Sequence, residues 1–329
     1  MTAVERGWRR KLAMAAGGLL AVVLGTFSAG SAAVAQQKVT VVATTSMIAD
    51  ALKQVGGDRV QVTALMGAGV DPHTYRQTRS DIAAMTKADA VFWHGLYLEA
   101  QLEDFLRNLA ARKPVFALAE TLPKEKLLSS VAYPGRYDPH VWMDPRLWKG
   151  VVVAARDALL KLDPKGADAF DANLQRHLGE IDALATYAEK AFATVPQTSR
   201  VLVTAHDAFS YFGRANGYEV LGIQGISTES EAGLKQIEEL VNVIVTRKIG
   251  AIFIESSVSD RNVKALVEGA AAKNHKVVIG GELFSDAMGV PGTYEGTYIG
   301  MIDHNTTVIT RALGGEAPAK GLNNRLAAM

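Results

Sequence analysis

Short apolar runs alternate along the chain with longer stretches of helical periodicity. Val39–Thr45 (VTVVATT), Val60–Met66 (VQVTALM), Ala90–Trp93 (AVFW) and Val115–Leu118 (VFAL) predict four buried strands. Val201–Ala205 (VLVTA), Glu219–Ile223 (EVLGI), Ala251–Glu255 (AIFIE) and Lys276–Ile279 (KVVI) predict a second set of four. Ser80–Thr86, Leu98–Ala110 and Ala232–Arg247 carry the helical spacing between them. Strand, helix and strand repeated in this way predict an α/β fold with parallel sheets covered by helices. Two sets of four predict two similar lobes.

The segment between the sets reads as one long helix. Asp163 offers an N-cap, and Pro164 stands where the first helical turn tolerates proline. Phe170, Leu174, Leu178, Ile181, Leu184, Tyr187 and Ala191 then form a stripe at spacings of four and three, until Pro196 stops it. A helix over 164–193 would be roughly 45 Å long at the usual rise per residue. It is expected to act as a rigid strut joining the lobes, with a long exposed coiled coil as the alternative. His177 is expected on its polar face. The expected divisions are a signal segment over 1–35, a first lobe over 36–163, a linker helix over 164–195 and a second lobe over 196–329.

Composition is that of an ordinary globular protein, 48% hydrophobic and 21% charged. The first 35 residues are distinct. Arg6, Arg9, Arg10 and Lys11 precede an apolar run from Leu12 to Phe27, and Ala33-Val34-Ala35 makes an A-x-A cleavage signal before Gln36. Losing these four cations and Glu5 takes the formal charge from +1 to −2, which gives no reason to expect nucleic acid or anionic lipid as partner. No later segment is long enough to span a membrane. With no cysteine, the chain has no disulfide and no thiol for lipid attachment, so a soluble, monomeric protein of a Gram-negative-type periplasm is expected.

Three of the seven histidines stand at strand ends or in turn-rich loops. His73 lies in Val70-Asp71-Pro72-His73-Thr74-Tyr75, His140 in Tyr137-Asp138-Pro139-His140-Val141-Trp142, and His206 at the end of the first strand of the second set. Ligands of open α/β sheets bind outside the carboxyl ends of strands, so these positions point to a shared crevice. Proline fixes the chain entering two of the histidines before a ligand arrives. The spacing makes no zinc-finger or H-E-x-x-H pattern. Asp286, after the last strand, is a fourth candidate, with a helix N-cap as its alternative role.

With these motifs in place, the chain resembles the manganese- and zinc-binding solute-binding proteins of ABC importers. DPHTYR, GLYLE, DPHVWMDP, TAHDAF, GISTESEAG, FIESS and GGELFSDAMG carry the resemblance in one order over the mature chain. It implies two (β/α)4 lobes, a single connecting helix and one metal ion in the cleft, held by His73, His140, His206 and Asp286. It also implies a membrane permease with a cytoplasmic ATPase as partner. Three imidazoles and one carboxylate suit first-row divalent ions better than Mg²⁺ or Ca²⁺.

Glu255, Asp207 and Asp144 are candidates to orient imidazoles through the second ring N–H. His94, where many relatives carry Asn, is a candidate auxiliary ligand, while His275 and His304 are expected to be solvated or capping. Zinc-specific relatives often carry a His-rich loop before the second histidine, and Thr121–Asp138 has none. Manganese-specific relatives often carry Glu in place of His206. The balance leans to manganese. A periplasmic metallohydrolase using the same ligands and an adhesin-like surface protein are the competing expectations.

Overall fold

A computed structural model describes residues 38–130 and 133–327, and the expected signal segment with its cleavage after Ala35 lies outside the described residues. The first four strands are β1 (Val39–Ala43), β2 (Val60–Ala64), β3 (Ala90–Trp93) and β4 (Val115–Ala117), in a parallel sheet ordered β2-β1-β3-β4. The second four are β5 (Val201–His206), β6 (Glu219–Gln224), β7 (Ala251–Glu255) and β8 (Val278–Leu283). They pair in parallel as β5 with β6 and β7 with β8, while β5 lies beside β7. The spatial order β6-β5-β7-β8 repeats that of the first lobe. The ladder, however, runs as two ribbons and not as one continuous sheet. Both lobes therefore reverse direction beside their first strand, β1 against β3 and β5 against β7, which opens a crevice at the carboxyl ends of those strands.

Among the described residues, nine α-helices cover the sheets: α1 (Ser46–Gly56), α2 (Arg79–Lys87), α3 (Glu103–Ala110), α4 (Pro145–Leu162), α5 (Ala167–Ala193), α6 (Ser210–Asn216), α7 (Leu234–Thr246), α8 (Arg261–Ala272) and α9 (Tyr298–Ala312). Their starts follow local chemistry. Thr78 and Asp81 form a reciprocal capping box on α2, and Asp144 caps α4 ahead of Pro145. Helix α3 is shorter than its apolar spacing predicts. Glu99 folds back to accept from Thr44 Oγ1 (2.6 Å), His94 N (2.8 Å) and Gly95 N (3.1 Å), which holds Leu98–Leu102 in turns.

The linker helix is α5, 27 residues and about 40 Å long. Asp163 does not cap it. Pro164–Gly166 forms a 3-10 turn first, and the Asp163 carboxylate instead accepts from Arg59 Nε at 2.8 Å. The helix is not an exposed coiled coil, because it packs on α1 and α4 on one side and α9 on the other. His177 is fully buried, not on a polar face. It lies three residues after Leu174 and four before Ile181, so the period of the apolar stripe carries it inward. Its Nδ1 meets Glu180 Oε2 at 2.9 Å. No described helix is long and apolar enough to cross a membrane.

Candidate metal centre

Each lobe delivers two donors to the crevice. In the first, His73 follows β2 in a turn that Asp71 shapes, its Oδ1 accepting the His73 N–H at 2.9 Å. His140 is reached by an equivalent turn, where Asp138 Oδ1 accepts the His140 N–H at 2.9 Å. The same oxygen also takes the ring Nδ1 at 2.7 Å. In the second lobe, His206 ends β5 and Glu255 ends the neighbouring β7. Glu255 Oε1 accepts the His206 backbone N–H (2.9 Å) and Oε2 the ring Nδ1 (2.5 Å). Asp286 follows β8.

The donor atoms of His73, His140, His206 and Asp286 all lie within 4.8 Å of one another, and all four residues are buried. His73 Nε2 is 3.3 Å from His140 Nε2 and 3.6 Å from Asp286 Oδ2. Asp286 Oδ1 is 3.4 Å from His140 Nε2, and Oδ2 is 3.1 Å from His206 Nε2. An ion about 2.1 Å from four tetrahedral donors requires edges of about 3.4 Å. These four separations lie near that figure, with Asp286 reached through one oxygen or the other. His206 Nε2 and both Asp286 oxygens are buried with no partner outside the cluster, so a proton or a cation between them must satisfy them.

Electrostatics divide the three rings. Burial drives His73 down to about 3, and Asp286 only partly opposes it. Burial would also lower His140, but Asp138 and Asp286 outweigh it and hold the ring up at about 9. His206 is raised well above its ordinary value, because Asp286 and Glu255 overcome the cost of burial. Those two imidazoliums in turn keep the Asp286 carboxyl well below the usual range against burial. Without metal, the site is a cluster of paired charges in which protons occupy ring positions that an ion would take.

The neighbouring candidates separate cleanly. Glu255 lies against the His206 ring at Nδ1. Asp207 accepts from Ser210 Oγ at 2.8 Å and Asp144 caps α4 through the Arg146 N–H at 3.0 Å, so neither holds an imidazole. His94 is not in the cluster. Its Nε2 meets the Pro139 carbonyl at 2.7 Å, with the ring edge-on to Trp142, and so it braces the chain entering His140. His275 and His304 bond the Ile249 and Glu282 carbonyls at 2.7 and 2.9 Å. Asp138 escaped the sequence reading. Its signal was the twice-repeated Asp-Pro-His, in which an aspartate two residues ahead of the histidine can accept its backbone N–H.

Residues 41–312 match the family described as zinc-uptake complex component A, periplasmic. The chain is 46% identical over 306 residues to the manganese-binding lipoprotein MntA of Bacillus subtilis, covering 90% of this chain and 99% of that protein. It is 45% identical over 281 residues to the zinc-binding protein TroA of Treponema pallidum, covering 85% and 91%. The solved structure of the periplasmic zinc-binding protein TroA from Treponema pallidum superposes with a TM-score of 0.82 over 84% of this chain and 99% of that one. The chain therefore belongs to the family of extracytoplasmic, non-enzymatic solute-binding proteins that serve metal ABC transporters.

Proposed function

We propose that this protein captures one manganese or zinc ion through His73, His140, His206 and Asp286 and delivers it to the permease of an ABC importer. The observation that carries the reading is the buried donor set, whose atoms all lie within 4.8 Å of one another with four separations of 3.1–3.6 Å. Three neutral nitrogens and one carboxylate leave a net single positive charge on a bound divalent ion, which favours tight but reversible capture. Glu255 and Asp138 keep two rings turned toward the ion. The relatives named for manganese and for zinc are almost equally similar to this chain. The histidine-free segment over Thr121–Asp138 favours manganese as cargo.

The protein works as a soluble periplasmic monomer, released from residues 1–35 by cleavage after Ala35. The Bacillus relative is named a lipoprotein, whereas this chain has no cysteine on which a lipid could be placed. The first lobe spans 36–163, the linker 164–195 and the second lobe 196–329. The test is calorimetric titration of the chelator-stripped protein with Mn²⁺ and Zn²⁺, alongside His140→Ala and Asp286→Ala. One equivalent bound by the wild type and lost in both variants is expected. No stoichiometric binding of either ion would overturn the proposal.

A further inference from the structure

The four donors are not anchored alike. The Asp138–Trp142 segment, which carries His140, is bonded across the cleft at three buried points. Tyr211 Oη donates to the Asp138 carbonyl, Trp142 Nε1 to the Ser285 carbonyl, and Tyr298 Oη to the Trp142 carbonyl, each at 2.8 Å. His140 is thus fixed to the lobe that holds His206 and Asp286, although its chain belongs to the other. Glu255 and Asp138 lock two of the three side chains from behind. These three donors form one rigid unit.

His73 is held differently. Asp71 Oδ1 carries the His73 N–H, while Oδ2 accepts from Thr74 Oγ1 at 3.1 Å and, across the cleft, from Thr228 Oγ1 at 2.5 Å. Among the described residues, Thr228 is the second-lobe residue hydrogen-bonded to the loop over 67–75. That bond is half-buried, where water can compete for it, unlike the buried bonds behind His140. Beside it Gln101 Nε2 donates to Glu229 Oε1, so residues 228 and 229 close the cleft mouth at two points. The base of the loop borders an open cleft. Ala68 and Gly69 line it together with Ser256, Phe284 and Met288 of the second lobe, its volume being about 610 Å³, with Gly69 against the Ser256 carbonyl.

We propose that His73 is the gating ligand of the site and that the Asp71–Thr228 hydrogen bond is its latch. His140, His206 and Asp286 form a preassembled half-site that takes the ion first. His73 then swings in with its loop, and Thr228 holds Asp71 to keep it there. Escape of the ion begins with breakage of this one bond and movement of the loop into the open cleft beside it. The inference rests on metal capture at these four residues, and it assigns to Asp71 and Thr228 a positioning role through His73.

The test is the rate at which Mn²⁺ and Zn²⁺ leave the loaded protein after rapid mixing with excess chelator. Thr228→Val removes the latch donor and leaves the Asp71 bond to the His73 backbone intact. Release roughly tenfold faster is expected, the worth of one hydrogen bond to a carboxylate. Thr228→Ser keeps the hydroxyl and should release at the wild-type rate. His73→Ala should retain a single weakened site, whereas Asp286→Ala should retain none. If the wild type binds one equivalent but Thr228→Val releases at the wild-type rate, the latch is overturned and metal capture stands. If Thr228→Ser is as fast as Thr228→Val, lost packing and not the hydrogen bond is the cause, and the latch is again overturned. If His73→Ala binds no metal, the half-site is overturned. A wild-type protein that binds neither ion overturns the reading beneath both.

Discussion

An imidazole offers a metal only an unprotonated nitrogen, so the fate of its other nitrogen decides how it performs. In His140 and His206 the Nδ1 side is held by Asp138 and Glu255, which fixes the ring and leaves Nε2 facing Asp286. Carboxylates on both sides raise these two rings, His140 to about 9 and His206 well above its ordinary value, while burial leaves His73 neutral at about 3. At pH 7 the free site holds protons on His140 and His206, an incoming ion replaces them at Nε2, and the Nδ1–H bonds persist. Capture should therefore release about two protons per ion at pH 7, and apparent affinity should rise with pH, less steeply once His140 loses its proton near pH 9. Calorimetry at pH 7 in buffers of different ionisation enthalpy measures this, and heats independent of the buffer would contradict it. The ligand residues themselves were legible from strand ends and the Asp-Pro-His repeat together with the family resemblance. The ring-holding role of Asp138 was not, because it depends on a side chain folding back two residues, and spacing alone does not separate that from a simple turn.

At the scale of elements, the linker helix α5 touches both lobes and should couple them. Its buried face carries Phe170, Leu174, Ile181 and Leu184. Polar contacts extend from its flanks to both lobes. Asn173 Nδ2 donates to the Val55 carbonyl at 3.0 Å, and Tyr187 Oη meets Thr307 Oγ1 at 3.0 Å. Ile181 is fully buried within this face. Its truncation to alanine should cost about 2–5 kcal/mol, the range for a large aliphatic side chain lost from a packed core. Urea unfolding of Ile181→Ala should show a lower midpoint in a single transition with the wild-type slope. Two resolved transitions would mean that the helix does not couple the lobes. The helix was readable because neither a strand nor a loop sustains an apolar stripe at spacings of three and four over such a length. His177 was misplaced because a histidine was assigned by polarity when its position in the stripe puts it inside. Helix α3 was overextended for the converse reason, since apolar spacing continues through Leu98–Leu102 while Glu99 draws the backbone into turns. In the second lobe the strand runs were legible, but hydrogen bonding between β5 and β7 is a tertiary matter that apolar runs do not encode.

For the whole molecule, the decisive feature is that an ion would be held by donors from both sheets. His73 and His140 come from chain that follows the first sheet, His206 and Asp286 from the ends of β5 and β8. A ligand that binds only the folded state stabilises it by about 2.7 kcal/mol at a hundredfold excess over its Kd. For a protein of this size that corresponds to a rise in Tm of roughly 4–5 °C. Because the site bridges the lobes, the rise should appear in one transition, with no lobe left unfolding at the metal-free temperature. The same ion must displace protons from His140 and His206, so its effect should weaken as pH falls from 8 toward 6, although metal-free stability also changes with pH. The informative quantity is therefore the difference between loaded and stripped protein at each pH, read by scanning calorimetry. A difference that shrinks steadily on acidification, in a single transition, is the expected result. A constant difference would mean that the ion enters without expelling protons, and a shift confined to part of a split transition would place it within one lobe.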